Sequence, residues 1–362
     1  MPKSIKILAD ASLPGLTTLF QAPFSLTLYQ NEQQIADLLP FHDVLLCRST
    51  LRVDAKLLTN STIQCVATAS SGTDHIDSEY LTQHNITLFD AKGSNARAVA
   101  DYVVSTLAVH QPIGKLAGVI GAGEVGSRVV DRLQAAGFNV ICFDPLKAQQ
   151  QQDKHHHYAT LAELTACDVI CIHANLHESA PYPSKNLLNA DFLARLKSGV
   201  TLINASRGGI VDEEALLKIT RPIAYCTDVY CNEPFIDPRI VNLSTVCTPH
   251  IAGHSIEAKQ AAIVQVSKQL HRHYGCEFVF ASEAKQSSDL RTPCKAADKR
   301  LWQELISDIY NPLKDTVILK AAADKHSAFL TQRKAHQLRH DFNFYKIDGI
   351  DQQIKLLLGQ IN

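Results

Sequence analysis

Short apolar runs alternate with longer segments of mixed polarity from the start of the chain, at residues 5–8, 43–47, 63–69 and 86–89. Runs of strand length separated by segments of helix length predict a parallel sheet covered on both faces. Residues 96–110 then place Val99, Val103, Val104, Leu107 and Ala108 close to helical spacing, with no Gly or Pro among them. That pattern predicts a helix leading out of a first domain. A second series follows, with strands predicted at 116–120, 139–143, 168–172, 200–204, 223–227 and 245–247. Six strands with helical connections make a complete doubly wound sheet. A helix predicted over 257–274 returns to the first domain and makes it discontinuous. Residues 281–299 are polar and Pro-containing, which predicts a linker. Beyond it, Leu301, Leu305, Ile306 and Ile309 mark an amphipathic helix, followed by a basic, aromatic-bearing stretch at 333–346. The expected domains are 1–95 with 251–280, then 96–250, then a small α+β domain at 286–362.

At 362 residues the chain is long enough for two or three cores and needs no disulfide staples. The 35 basic and 36 acidic side chains nearly cancel, which argues against a nucleic-acid binder or a membrane-surface protein. The ten cysteines contain no CxxC pair, the N-terminal apolar run is too short for a signal segment, and no stretch approaches the ~20 apolar residues of a membrane helix. A cytoplasmic protein with reduced thiols is expected. His155, His156 and His157 are consecutive and lack a partner at ligand spacing, so no metal site is expected. Cys167 and Cys171 share one face of a predicted strand and read as core thiols.

The strongest local signal is Gly121-Ala122-Gly123-Glu124-Val125-Gly126, which follows a predicted strand and opens a predicted helix. In such a turn the first glycine permits the tight bend and the second lets backbone approach a pyrophosphate. The third allows helix and strand to pack closely, and the helix N-terminus faces the anion. The next strand ends at Asp144, 18 residues after Gly126. A carboxylate there accepts hydrogen bonds from a ribose 2′-hydroxyl and repels a 2′-phosphate, so NAD is favoured over NADP.

Three later segments carry the groups that oxidation of a 2-hydroxy acid requires. In Asn204-Ala205-Ser206-Arg207-Gly208-Gly209, an arginine on a Gly-rich turn is suited to grip a carboxylate through two parallel hydrogen bonds. Asp228-Val229-Tyr230-Cys231-Asn232-Glu233-Pro234 and Thr248-Pro249-His250-Ile251-Ala252-Gly253 also follow predicted strands, at the edge where open α/β sheets bind ligands. Hydride loss from an alcohol carbon needs a base for the hydroxyl proton, and an imidazole suits that role near neutrality. His250 is the expected base, with Glu233 holding the far ring nitrogen.

As a set, the glycine loop followed by NSRG-type, DVxxxEP and PHIAG segments resembles the D-2-hydroxyacid dehydrogenases over residues 5–275. The resemblance implies a Rossmann dinucleotide-binding domain inserted in a flavodoxin-like substrate domain. It also implies Arg207, Glu233 and His250 as the catalytic trio. NAD contacts are implied for Gly121, Gly123, Glu124, Val125, Gly126, Asp144, Ala174, Ala205, Ser206 and Gly253, with Asp228 near the nicotinamide. In the first domain Arg48, Ser49, Ser70, Ser71 and Gly72 match the family pattern and are implied in substrate binding, together with His254. The loop from Ser70 would offer backbone N–H groups to the substrate carboxylate. The N-terminal motifs and the C-terminal extension look most like members that act on a phosphorylated 2-hydroxy acid. There the extension is a dimerisation domain, with Phe329, Arg333, Lys334, Leu338 and Arg339 in a basic-aromatic helix. The sequence departs from the family at Ala174-Asn175, where Thr-Pro is usual, and at His254, where a tyrosine is expected. The motifs alone leave open phosphoglycerate, glycerate or hydroxypyruvate as substrate, and also an NAD-sensing, corepressor-like binding protein.

Overall fold

The computed structural model describes residues 4–150, 156–278, 301–336 and 339–361. His155, Leu338 and the linker expected at 281–299 lie outside the described residues. The chain forms two compact units, one of Met1–Asn95 with Ile256–Gln286 and one of Ala96–Ser255 with Ser287–Asn362.

The first unit is built on five parallel strands, β1 (Ile5–Asp10), β2 (Phe24–Tyr29), β3 (Val44–Cys47), β4 (Cys65–Thr68) and β5 (Thr87–Phe89), in the order β2-β1-β3-β4-β5. That is the flavodoxin-like order. Alternate strand residues point to opposite faces. Ile7, Ala9, Val44 and Leu46 pack with Ala262, Ile263, Val266 and Leu270 of the helix Ile256–His273. Leu8, Leu45, Cys47 and Val66 pack with Ile35, Leu39, Leu58 and Leu81 on the other side. The apolar-run pattern misses β2 for a physical reason: it is an edge strand whose interior residues are partly or fully exposed, with only Phe24 and Tyr29 buried. Ser25 and Thr27 break the run that marks its buried neighbours.

The second unit carries β6 (Leu116–Ile120), β7 (Asn139–Phe143), β8 (Val169–Ile172), β9 (Val200–Asn204), β10 (Ile223–Thr227) and β11 (Val246–Cys247), all parallel, in the order β11-β10-β9-β8-β6-β7. Tyr158 forms a single parallel bridge to Cys142 of β7. It is the vestige of a further strand at that edge, and with it the sheet has the doubly wound dinucleotide-binding order. The helix Ala96–His110 is buried along almost its whole length, and it contains no Gly or Pro.

The described residues of 301–361 do not form a core of their own. Ile306, Phe342, Leu357 and Leu358 share one apolar cluster with Ala100, Val103, Leu107, Val129 and Leu133 of the dinucleotide sheet's helices. A buried ion pair fixes this seam. Arg132 donates to Asp101 at 2.8 Å and to the carbonyl of Leu356 at 3.1 Å, as well as to that of Leu357. The second Asp101 oxygen accepts the Phe342 N–H at 2.8 Å. Residues 251–255, expected with the first domain, belong to the second unit. Asp228 accepts the N–H groups of Ile251 and Ala252, and Arg339 donates to the carbonyls of Ala252 and His254.

Candidate active site

Each candidate of the second unit sits at the carboxyl end of one of its strands, because parallel strands aim all of these ends at one edge of the sheet. Behind β6, Gly121 has φ 86°, and a Cβ there would lie 2.7 Å from the backbone nitrogen of Ala174. At Gly126 a Cβ would lie 1.8 Å from the Gly121 carbonyl oxygen, so only glycine lets the helix Glu124–Ala135 start this close to the turn. A Cβ on Gly123, by contrast, would meet nothing within 4 Å. Backbone there is open to an anion at the N-terminus of a three-turn helix, which fits a dinucleotide pyrophosphate. Asp144, after β7, accepts the Ala122 N–H at 3.0 Å and the Lys147 N–H at 3.1 Å. It braces the glycine turn and keeps further lone pairs for a ribose hydroxyl. Ser206 donates to the Ala174 carbonyl, which ties the ends of β8 and β9 together beside Gly121.

His250 follows β11 with φ 55°, a left-handed backbone uncommon for a non-glycine residue. Its N–H donates to the Asp228 carbonyl at 2.8 Å. Its Nδ1 lies 2.6 Å from Glu233 Oε2, and Glu233 Oε1 accepts the Tyr230 N–H at 2.9 Å. Burial alone would raise the Glu233 pKa, but His250, the Tyr230 N–H and Arg333 outweigh it and hold the carboxyl below its usual range. An ionised Glu233 fixes the proton on Nδ1 and leaves Nε2 as the basic nitrogen.

Asp228 is buried, and its carboxylate is spent inside the site. It accepts from Thr248 Oγ1 at 2.6 Å, the Ile251 N–H at 2.7 Å and the Ala252 N–H at 2.8 Å. Burial pushes its pKa up to about 6 against the pull of His250 and these donors. Thr248, which sequence reasoning passes over, also meets the Tyr102 hydroxyl at 2.7 Å. The Arg207 turn is fixed by Asn204, whose Nδ2 donates to the Arg207 carbonyl at 3.0 Å. At Gly208 a Cβ would lie 1.9 Å from the Tyr230 carbonyl, so the Arg207 turn and the turn before Glu233 touch backbone to backbone. Gly253 and His254 continue the His250 loop, and Arg339 holds the His254 carbonyl at 3.0 Å. His173, after β8, has both ring nitrogens buried without a hydrogen-bond partner among the described residues. Burial lowers its pKa to about 3, so it stays neutral beneath the glycine turn.

In the first unit Arg48, Ser49, Ser70 and Ser71 stand at the carboxyl ends of β3 and β4. Arg48 Nε donates to Asp10 at 2.8 Å, so its charge is partly matched before any ligand arrives. The Ser70 carbonyl accepts the Ala91 N–H, and Ser71 Oγ accepts the Gly93 N–H at 3.1 Å, which anchors the turn that contains Gly72. Among the described residues no group of three or more His, Cys, Asp or Glu is arranged to hold a metal, and no helix is long and apolar enough to cross a membrane.

The chain belongs to the D-isomer specific 2-hydroxyacid dehydrogenase family: residues 93–252 match its NAD binding domain, and close relatives match nearly the full length. It is thus an NAD-dependent oxidoreductase. The particular relatives are erythronate-4-phosphate dehydrogenases. That of Legionella pneumophila (strain Philadelphia 1) is 52% identical over 94% of this chain and 96% of its own length. That of Coxiella burnetii (strain RSA 331) is 33% identical over 94% of each. Among solved structures, the NAD-dependent formate dehydrogenase of Staphylococcus aureus in complex with NAD superposes with a TM-score of 0.61 at 23% identity, over 75% of this chain and 96% of that one.

Proposed function

We propose that this chain oxidises 4-phospho-D-erythronate to 2-oxo-3-hydroxy-4-phosphobutanoate, a step in the formation of pyridoxal 5′-phosphate. His250 Nε2 takes the proton of the C2 hydroxyl, and Glu233 stabilises the imidazolium that results. Bound NAD supplies the hydride acceptor. Arg207 holds the substrate carboxylate with parallel N–H groups, with His254 as a further substrate-binding residue of its unit; in the first unit Arg48, Ser49, Ser70, Ser71 and Gly72 are the residues that bind substrate. Gly121, Gly123, Glu124, Val125 and Gly126 cradle the pyrophosphate, and Asp144 selects the ribose without a 2′-phosphate. Ala174, Ala205, Ser206, Asp228 and Gly253 line the rest of the cofactor path.

The observation that carries the chemistry is the 2.6 Å bond between His250 Nδ1 and Glu233. What favours this substrate over phosphoglycerate, glycerate or hydroxypyruvate is the tail. Coverage of 94% by the Legionella relative cannot leave out residues 301–361, whereas the formate dehydrogenase accounts for only 75% of the chain. NADH formation with 4-phospho-D-erythronate, beside 3-phosphoglycerate and D-glycerate at equal concentration, tests the reading. A preference of at least a hundredfold in kcat/KM for the first is expected. Preference for another acid overturns the substrate, and no turnover with any overturns the enzyme reading in favour of an NAD-sensing binding protein.

The same reading makes the enzyme a cytoplasmic homodimer. The packed helices Leu313–Ala321 and Lys325–Ala335 carry Val317, Ile318 and Leu330, which are 64%, 56% and 47% exposed. Exposed apolar side chains on these two helices are what burial by a second copy would cover. Sedimentation of a monomer at micromolar concentration would contradict it.

A further inference from the structure

The helix Lys325–Ala335 lies in the segment assigned to dimerisation, yet one of its faces is turned to the catalytic dyad. His326, Phe329 and Arg333 recur at spacings of three and four, which places them on that single face. His326 stacks on Phe235, with ring centroids 4.2 Å apart, and its Nδ1 lies 3.3 Å from the Pro234 carbonyl. Phe329 is buried with its ring edge-on to Tyr230 at 6.1 Å. Tyr230 and Pro234 bracket Glu233, and the Tyr230 N–H is itself a donor to it. Arg333 then donates from its terminal nitrogen to the His250 carbonyl at 2.9 Å.

We infer that Arg333 is a positioning residue for the dehydrogenase reaction: it locks the His250 backbone in the conformation that presents Nε2, and so makes the C-terminal helix part of the active centre of its own chain. The inference rests on the proposed roles of His250 and Glu233. His250 is held at three points, its N–H by the Asp228 carbonyl, its ring by Glu233 and its carbonyl by Arg333. Removing the third leaves the residue with the unusual φ of 55° free to relax about its carbonyl side. The guanidinium also adds positive charge beside Glu233, which favours its ionised form.

Arg333→Met keeps most of the side chain's apolar stem and removes the donor and the charge. The single-turnover rate of NADH formation is expected to fall at least tenfold, with the substrate KM and the NADH Kd each changed less than threefold. Arg333→Lys, which keeps the charge and a donor, should recover part of that loss. An unchanged rate overturns the inference. So does a raised KM with an unchanged rate, since Arg333 would then bind substrate and not orient the base. The NADH Kd reports an intact fold, and if Arg333→Met does not fold, an unchanged rate in Arg333→Ala assayed with added guanidinium ion and without it overturns the inference, while rescue by guanidinium supports it. His250→Gln measured alongside separates the two levels. If it too keeps full activity, the dyad reading itself has failed; if it alone is inactive, only the role of Arg333 has.

Discussion

The turn at Gly121–126 and the loop that carries His250 end strands of the same sheet, and different forces hold them. The glycine turn is shaped by contact: two of its three glycines stand where any Cβ would overlap backbone, and the third faces open space. The His250 loop is shaped by polar bonds drawn from distant parts of the chain, from Asp228 at the end of β10, Glu233 beyond it and Arg333 in the tail. A left-handed histidine costs roughly 1–3 kcal/mol in isolation, so it persists only where surrounding bonds over-determine it. A steric turn of this kind is specified within a few residues. A polar loop is specified by the whole fold.

Four substitutions sharpen or break that contrast. His250→Gln removes the proposed base and is expected to lower kcat by ~10²–10⁴-fold while NADH binding, measured by fluorescence titration, is unchanged. Loss of cofactor binding in that variant would show that the two regions are not separable. Arg132→Met leaves Asp101 buried without its partner, at a cost of about 3–5 kcal/mol, seen as a lower denaturant midpoint. Phe342 and Leu357, whose backbones this pair holds, should lose amide protection first, and a midpoint equal to wild type would remove the pair as the anchor of the tail. Gly126→Ala drives a methyl into the Gly121 carbonyl and should cost about 1–3 kcal/mol together with most of the NAD affinity. If NAD binds normally, the close helix–strand approach is not what shapes the site. Asp144→Ser removes a charged acceptor from the Ala122 N–H and, on the proposed role, from the ribose, and should weaken NAD by about tenfold while narrowing the gap to NADP. An unchanged NAD-to-NADP ratio in kcat/KM would take Asp144 out of cofactor choice.

The same contrast explains what the sequence makes legible. Five of the six strands of the second sheet fall where their buried apolar runs stand, and β11 lies within its expected run. The glycine spacing marks the turn because sterics act locally. Tyr158 escapes notice because a bridge of one residue has no periodicity, and β2 because an exposed edge strand has no continuous apolar run. Arg132 and Arg333 read as ordinary helix charges, since nothing next to them in sequence records Asp101 or His250 as their partners. Arg48 reads only as a residue implied in substrate binding, and its pairing with Asp10 joins residues 38 positions apart. The tail's place against the dinucleotide sheet depends on a shared core that emerges only after both have folded.

The central claim is that the C2 hydroxyl of a phosphorylated acid is the group oxidised, with the hydride leaving the same carbon. A single turnover with 4-phospho-D-erythronate carrying deuterium at C2 tests it directly. The account predicts slowed formation of reduced cofactor with the deuterium recovered on the nicotinamide ring. Unlabelled NADH, or no turnover by an enzyme that still binds NAD, would contradict it.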